Sequence, residues 1–78
     1  MSHVSAYFTA EISGKHDVKE IKRELDVLPG VTSVSVNTTS GQIAVDYDAT
    51  GVSQNQIQKK LEELGYSITG KTAEQLTD

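Results

Sequence analysis

Apolar and polar residues alternate at the start of the chain. Val4, Ala6, Phe8, Ala10 and Ile12 interleave with His3, Ser5, Tyr7, Thr9, Glu11 and Ser13, which predicts a half-buried strand. A polar stretch over 13–17 breaks the alternation. Asp17 and Glu20 then stand at capping-box spacing, with Asp17 as the expected helix N-cap. Val18, Ile21, Leu25 and Leu28 recur at helical spacing, and Pro29-Gly30 ends that helix. Val34 and Val36 alternate with Ser33, Ser35 and Asn37, and Ile43, Val45 and Tyr47 alternate with Gln42, Ala44 and Asp46. The turn cluster at 38–41 joins these two strands as a hairpin. Ser53 and Gln56 form a second capping box, and Ile57, Leu61 and Leu64 supply the stripe of a second helix. Gly65 suits the left-handed position beyond that helix, and 66–69 reads as a short fourth strand.

The order strand, helix, strand, strand, helix, strand is that of two split β-α-β units. It predicts an α+β, ferredoxin-like βαββαβ sandwich, a four-stranded antiparallel sheet of order 4-1-3-2 with two helices on one face. The expected domain covers 1–69, and 70–78, polar apart from Leu76, is expected to be a flexible tail. The same plan brings three connections to one end of the sheet: 13–17, the hairpin turn 38–41, and the entry to strand four at 65–66. Strand two falls at a sheet edge and carries little charge, which predicts a monomer or a weak homodimer.

Composition narrows the chemistry. The 78 residues include no cysteine, one methionine and two histidines, so there is no disulfide, thiolate site or thiol nucleophile. The net charge of −4 argues against nucleic acid as a partner. No apolar run is long enough to span a bilayer, and the first residues lack the pattern of a signal peptide, so a cytoplasmic location without membrane insertion is expected. Gly14-Lys15 lacks the flanking glycines and the hydroxyl residue of a phosphate loop. No Ser-His-Asp set has spacing that forces it together, so no catalytic residue and no cofactor are expected.

The residues Leu28-Pro29-Gly30-Val31, Ser33-Val34-Ser35-Val36-Asn37, Val45-Asp46-Tyr47-Asp48, Val52-Ser53 and Gly65-Tyr66-Ser67-Ile68 resemble, in this order and spacing, the heavy-metal-associated domain family. That family includes small copper chaperones and the soluble N-terminal domains of copper- and zinc-transporting ATPases. The resemblance covers roughly 4–69 and implies the fold already read from periodicity. It also implies a metal loop, Gly-Met-x-Cys-x-x-Cys, at the end of strand one. Counted back without gaps from Pro29, the cysteine positions fall at Gly14 and Asp17 and the methionine position at Ile12. A second alignment follows strand alternation and sets Gly14 at the family glycine and Lys15 at the methionine. It is favoured by the apolar face that runs from Val4 to Ile12. Both alignments lack the two cysteines.

Cu(I) is held by soft thiolate and thioether donors, and here only Met1 offers one. For a divalent ion the weak candidates are His16 and Asp17, with His3 about 30 Å away along strand one. A lone loop histidine reads first as a solvated side chain. Lys15, Lys19, Lys22 and Arg23 place four of the seven basic residues on or beside helix one. Interleaved with Glu20 and Glu24, they read as a solvated helix face. In the family this surface docks onto a partner domain, so the four are also the candidate partner-binding residues, facing a transporter or a related domain. By the same resemblance Tyr66 packs beneath the loop. The expectation is therefore a non-catalytic, heavy-metal-associated-like interaction module with a degenerate metal loop. The alternative is a metal-binding protein or metallochaperone that uses other ligands or a site shared between chains.

Overall fold

The structure is a computed structural model that describes residues 3–12 and 14–75. Met1, Ser13 and the tail positions 76–78, all used in the expectations above, lie outside the described residues. The elements are β1 (His3–Ala10), α1 (Lys15–Asp26), β2 (Val31–Asn37), β3 (Gln42–Asp48), α2 (Gln54–Glu63) and β4 (Ile68–Gln75). The four strands form one antiparallel sheet in the order β2-β3-β1-β4, which is the expected 4-1-3-2 arrangement.

The alternation in β1 and β3 builds the core. Ala6, Phe8, Ile43 and Val45 are fully buried on one sheet face. Ile21 and Leu25 of α1 and Ile57 and Leu61 of α2 close over them, also with no exposure. The other sheet face carries the polar partners of the alternation. On it the Ser5 hydroxyl donates to Asp46 Oδ1 and satisfies the buried serine. Among the described residues no buried side-chain nitrogen or oxygen lacks a hydrogen bond.

The second helix begins as its sequence predicts. Gln56 N–H donates to Ser53 Oγ at 3.2 Å and Ser53 N–H to Gln56 Oε1 at 2.8 Å, a complete capping box. The first helix corrects the reading of Asp17. It starts at Lys15 with Gly14 at the N-cap and no side-chain cap, so Asp17 lies inside the first turn. There its negative charge still complements the helix dipole, and its carboxyl group lies beside the Tyr66 hydroxyl.

The fourth strand is longer than its apolar pattern suggests. Pairing with β1 continues to Gln75, opposite Val4, so 70–75 belongs to the sheet and not to a frayed tail. Polar contacts hold this stretch. Lys71 Nζ donates to Gln58 Oε1 at 2.8 Å, and Gln54 Nε2 donates to the Thr72 carbonyl at 3.2 Å. Strand β1 also ends at Ala10, two residues before the alternation does. Ile12 leaves the ladder but still packs against the core.

Two glycines separate backbone strain from steric fit. At Gly41, φ is 73° and an added Cβ would sit 2.3 Å from the Ala10 carbonyl oxygen. At Gly65, φ is 101° with nothing within 4 Å. Gly65→Ala should therefore cost roughly 1–2 kcal/mol from backbone strain alone, and Gly41→Ala roughly 2–4 kcal/mol because the strand must also move. Urea midpoints measure both, and equal losses would refute the role given to the Gly41 contact.

Candidate functional site

The end of β1, the hairpin turn and the start of β4 come together at one end of the sheet. Ala10, at the end of β1, donates its N–H to the Gly41 carbonyl at 2.9 Å and so touches the hairpin turn. Ile68, at the start of β4, pairs with Ala10 from the other side. The turn itself is held by Asn37, whose Oδ1 accepts from Thr39 N–H at 2.9 Å and Ser40 N–H at 3.2 Å. Between the turn and the strand exit lies a shallow groove of about 420 Å³, lined by Ala10, Glu11, Ile12 and 38–41. Its polar groups are backbone, the hydroxyls of Thr38, Thr39 and Ser40, and one carboxyl group, with no soft donor.

Helix α1 starts at Lys15, three positions along the chain from Ile12 of this groove. The two positions where the gapless alignment expects cysteine lie at its N-cap, Gly14, and in its first turn, Asp17. The alternative alignment rests on strand phase carried to Ile12, and β1 stops at Ala10. His16 is exposed and adjoins Asp17, as its position in the chain requires. His3 lies at the opposite end of β1, paired with Asp48. The Asp48 carboxyl group is held below its ordinary pKa, first by hydrogen bonds from the Thr50 side chain and backbone. The fold thus keeps His3 and His16 apart. Among the described residues no group of three or more His, Cys, Asp or Glu side chains could hold a metal ion.

Tyr66, only 9 % exposed, packs against the first turns of α1. Gly65 turns the chain after α2, and Tyr66 N–H returns to the Leu61 carbonyl at 3.1 Å, which aims the ring under α1. Its hydroxyl donates to Glu20 Oε1 at 3.1 Å. Burial, then the hydrogen bonds to Glu20 and Asp17, then the charges of these two carboxylates push its pKa far above that of a free phenol. The phenol and the two carboxyl groups occupy the first turns of α1 with protein–protein hydrogen bonds. One turn further on, Glu24 Oε1 lies 3.4 Å from Lys60 Nζ of α2 and continues the link between the helices. The contact from Tyr66 to Glu20 is not evident from local pattern. Its signal is the spacing of Asp17, Glu20 and Glu24 along one helix flank.

Lys15, Lys19, Lys22 and Arg23 are all exposed, as expected of a solvated or docking face. Arg23 Nε lies 3.5 Å from Glu24 Oε2, so its charge is partly answered within α1.

With this geometry in view, comparison with known proteins is specific. The model of the heavy-metal-associated domain matches residues 9–67. The copper chaperone CopZ of Staphylococcus aureus (strain JH9) is 34% identical over 53 residues, which cover 68% of this chain and 78% of the relative. A solved CopZ metallochaperone is 30% identical with a TM-score of 0.80, covering 83% of this chain and 98% of its own. A CsoZ metallochaperone is 28% identical with a TM-score of 0.79, covering 90% and 100%. The chain belongs to the heavy-metal-associated domain family, and copper chaperones are among its relatives. The family's soft-metal chemistry is not matched by donors here, since the chain has no cysteine.

The Tyr66 contacts give a pH dependence with a definite sign. A phenol whose pKa is raised on folding contributes stability that is fully present below the unfolded value near 10 and is lost as pH rises above it. Tyr66→Phe should cost about 1 kcal/mol at neutral pH, the usual contribution of one hydrogen bond. It should also flatten the alkaline loss of stability and remove the phenol that ionises last in an ultraviolet titration. An unchanged alkaline stability profile in the variant would contradict the contact.

Proposed function

We propose that this chain is a non-catalytic heavy-metal-associated domain that acts as a protein-interaction module in metal transport or homeostasis, without gripping a soft metal itself. The observation that carries the reading is the state of the loop end. In the gapless alignment Gly14 and Asp17 stand at the positions of the family's cysteines, and the Asp17 carboxyl group lies beside the Tyr66 hydroxyl. No described set of side chains offers three ligands. Family membership supports a role beside metal-handling proteins, with a transporter or a related domain as partner. The exposed lysines of α1 support docking by charge. Cytoplasmic placement belongs to the same proposal. No described helix is long and apolar enough to cross a membrane.

Titration of labelled protein with Cu(I) or Zn(II) tests this. At micromolar metal the amide signals of 14–17 should not shift in stoichiometric proportion. Saturable one-to-one shifts there would overturn the proposal in favour of a metallochaperone that uses His16 and Asp17 or a site shared between two chains.

A further inference from the structure

The sheet has two edges, and they differ. Strand β4 is covered by polar links to α2 and carries Lys71 and Glu74. Strand β2, Val-Thr-Ser-Val-Ser-Val-Asn, has no charged residue and no proline, and it pairs only with β3. A register shift between Val31 and Ser33 leaves a regular pairing stretch from Ser33 to Asn37. The core-facing residues of this strand are poorly covered. Val31, Val34 and Val36 are half-buried, while Tyr47, Val45 and Ile43, their partners on β3, are buried. At the end of α1, four positions before the strand, Val27 is 69% exposed, the only large hydrophobic side chain so exposed among the described residues. An uncharged edge with half-covered valines is a template for another strand.

Helix α1 packs against β2, and its side contacts fix its rotation. Glu20 reaches Tyr66 and Glu24 reaches Lys60, so that flank faces α2. At 100° per residue the opposite flank carries Lys15, Lys19 and Lys22, at spacings of four and three. All three are exposed, and because α1 packs on β2 while its other flank faces α2, this flank lies on the β2 side of the helix. Over seven residues the row spans about 10 Å, the length of about three residues of extended chain. Carboxylates on alternate residues of an added strand, about 7 Å apart, would meet it.

The geometry points to the β2 edge as a docking site for an extended acidic segment of a partner protein, whose backbone adds a fifth strand and whose carboxylates meet Lys15, Lys19 and Lys22. This inference rests on the interaction-module reading and names the chemistry of the partner. Charge selects that occupant over a second copy of the chain. Antiparallel β2–β2 pairing would set two lysine rows on the same face of one sheet, where they repel.

A blocked hexapeptide, Thr-Glu-Val-Glu-Val-Thr, titrated into the labelled full chain tests the site. Amide shifts should centre on 32–37, saturate at millimolar peptide and weaken with added salt. The double variant Lys19→Glu/Lys22→Glu should bind about tenfold more weakly, with its remaining spectrum unchanged as a check on folding. The same peptide with lysine in place of glutamate should not bind. Shifts centred outside β2, no saturation, or equal binding by the double variant would overturn the proposal. Concentration-dependent shifts at 32–37 without peptide would overturn it in favour of a second copy. Metal binding at 14–17 in the earlier titration would remove the functional reading but leave the peptide result standing, so the two failures are distinguishable.

Discussion

The backbone contact between Gly41 and Ala10 is the constraint on which the loop end depends. The hairpin turn comes so close to the end of β1 that no side chain fits between them, and the Ala10 N–H is bonded to the Gly41 carbonyl. That contact fixes where β1 stops, and hence where residues 10–12 leave the sheet and α1 begins. On the other side of β1, Ile68 starts β4 opposite Ala10. The short link from α2 through Gly65 then has little choice but to carry Tyr66 under the first turns of α1. Strand pairing thus sets the positions of all groups at this end before any of them acts.

Those positions are occupied by an internal hydrogen-bond system. The gapless alignment sets Gly14 and Asp17 where the family carries its two cysteines, and the chain has no cysteine at all. A soft metal held by two thiolates would tie the loop to the helix from outside. Here Tyr66 ties the helix from beneath, through Glu20 and Asp17, and Glu24 with Lys60 extends the link. The arrangement satisfies the buried phenol and directs the acidic flank of α1 inward. Lys15, Lys19 and Lys22 are thereby left on the opposite, exposed flank.

Much of this was legible in the residue pattern. Period-two alternation in Val4–Ala10 and Ile43–Tyr47, the Ser53–Gln56 capping box and the turn at 38–41 specify the elements, and the split β-α-β order specifies the sheet. The misses share a cause. Asp17 has the type and spacing of a cap, yet the helix starts at Lys15 with Gly14 at the N-cap, and the Asp17 carboxyl group stands beside Tyr66, 49 positions away, which local pattern does not show. Residues 70–75 look like tail because their contacts are backbone ladder bonds and glutamine side chains of α2, neither of which is hydrophobic. The absence of cysteine was plain from composition. The hydrogen bonds that stand at that place required the fold.

The most direct test restores the donors. If the loop keeps the family's position and lacks only its ligands, Gly14→Cys combined with Asp17→Cys should bind one Cu(I) per chain in competition with a Cu(I) chelator, while the unmodified chain binds none. Cu(I) binding by the unmodified chain, or failure of the folded double variant to bind, would contradict the account.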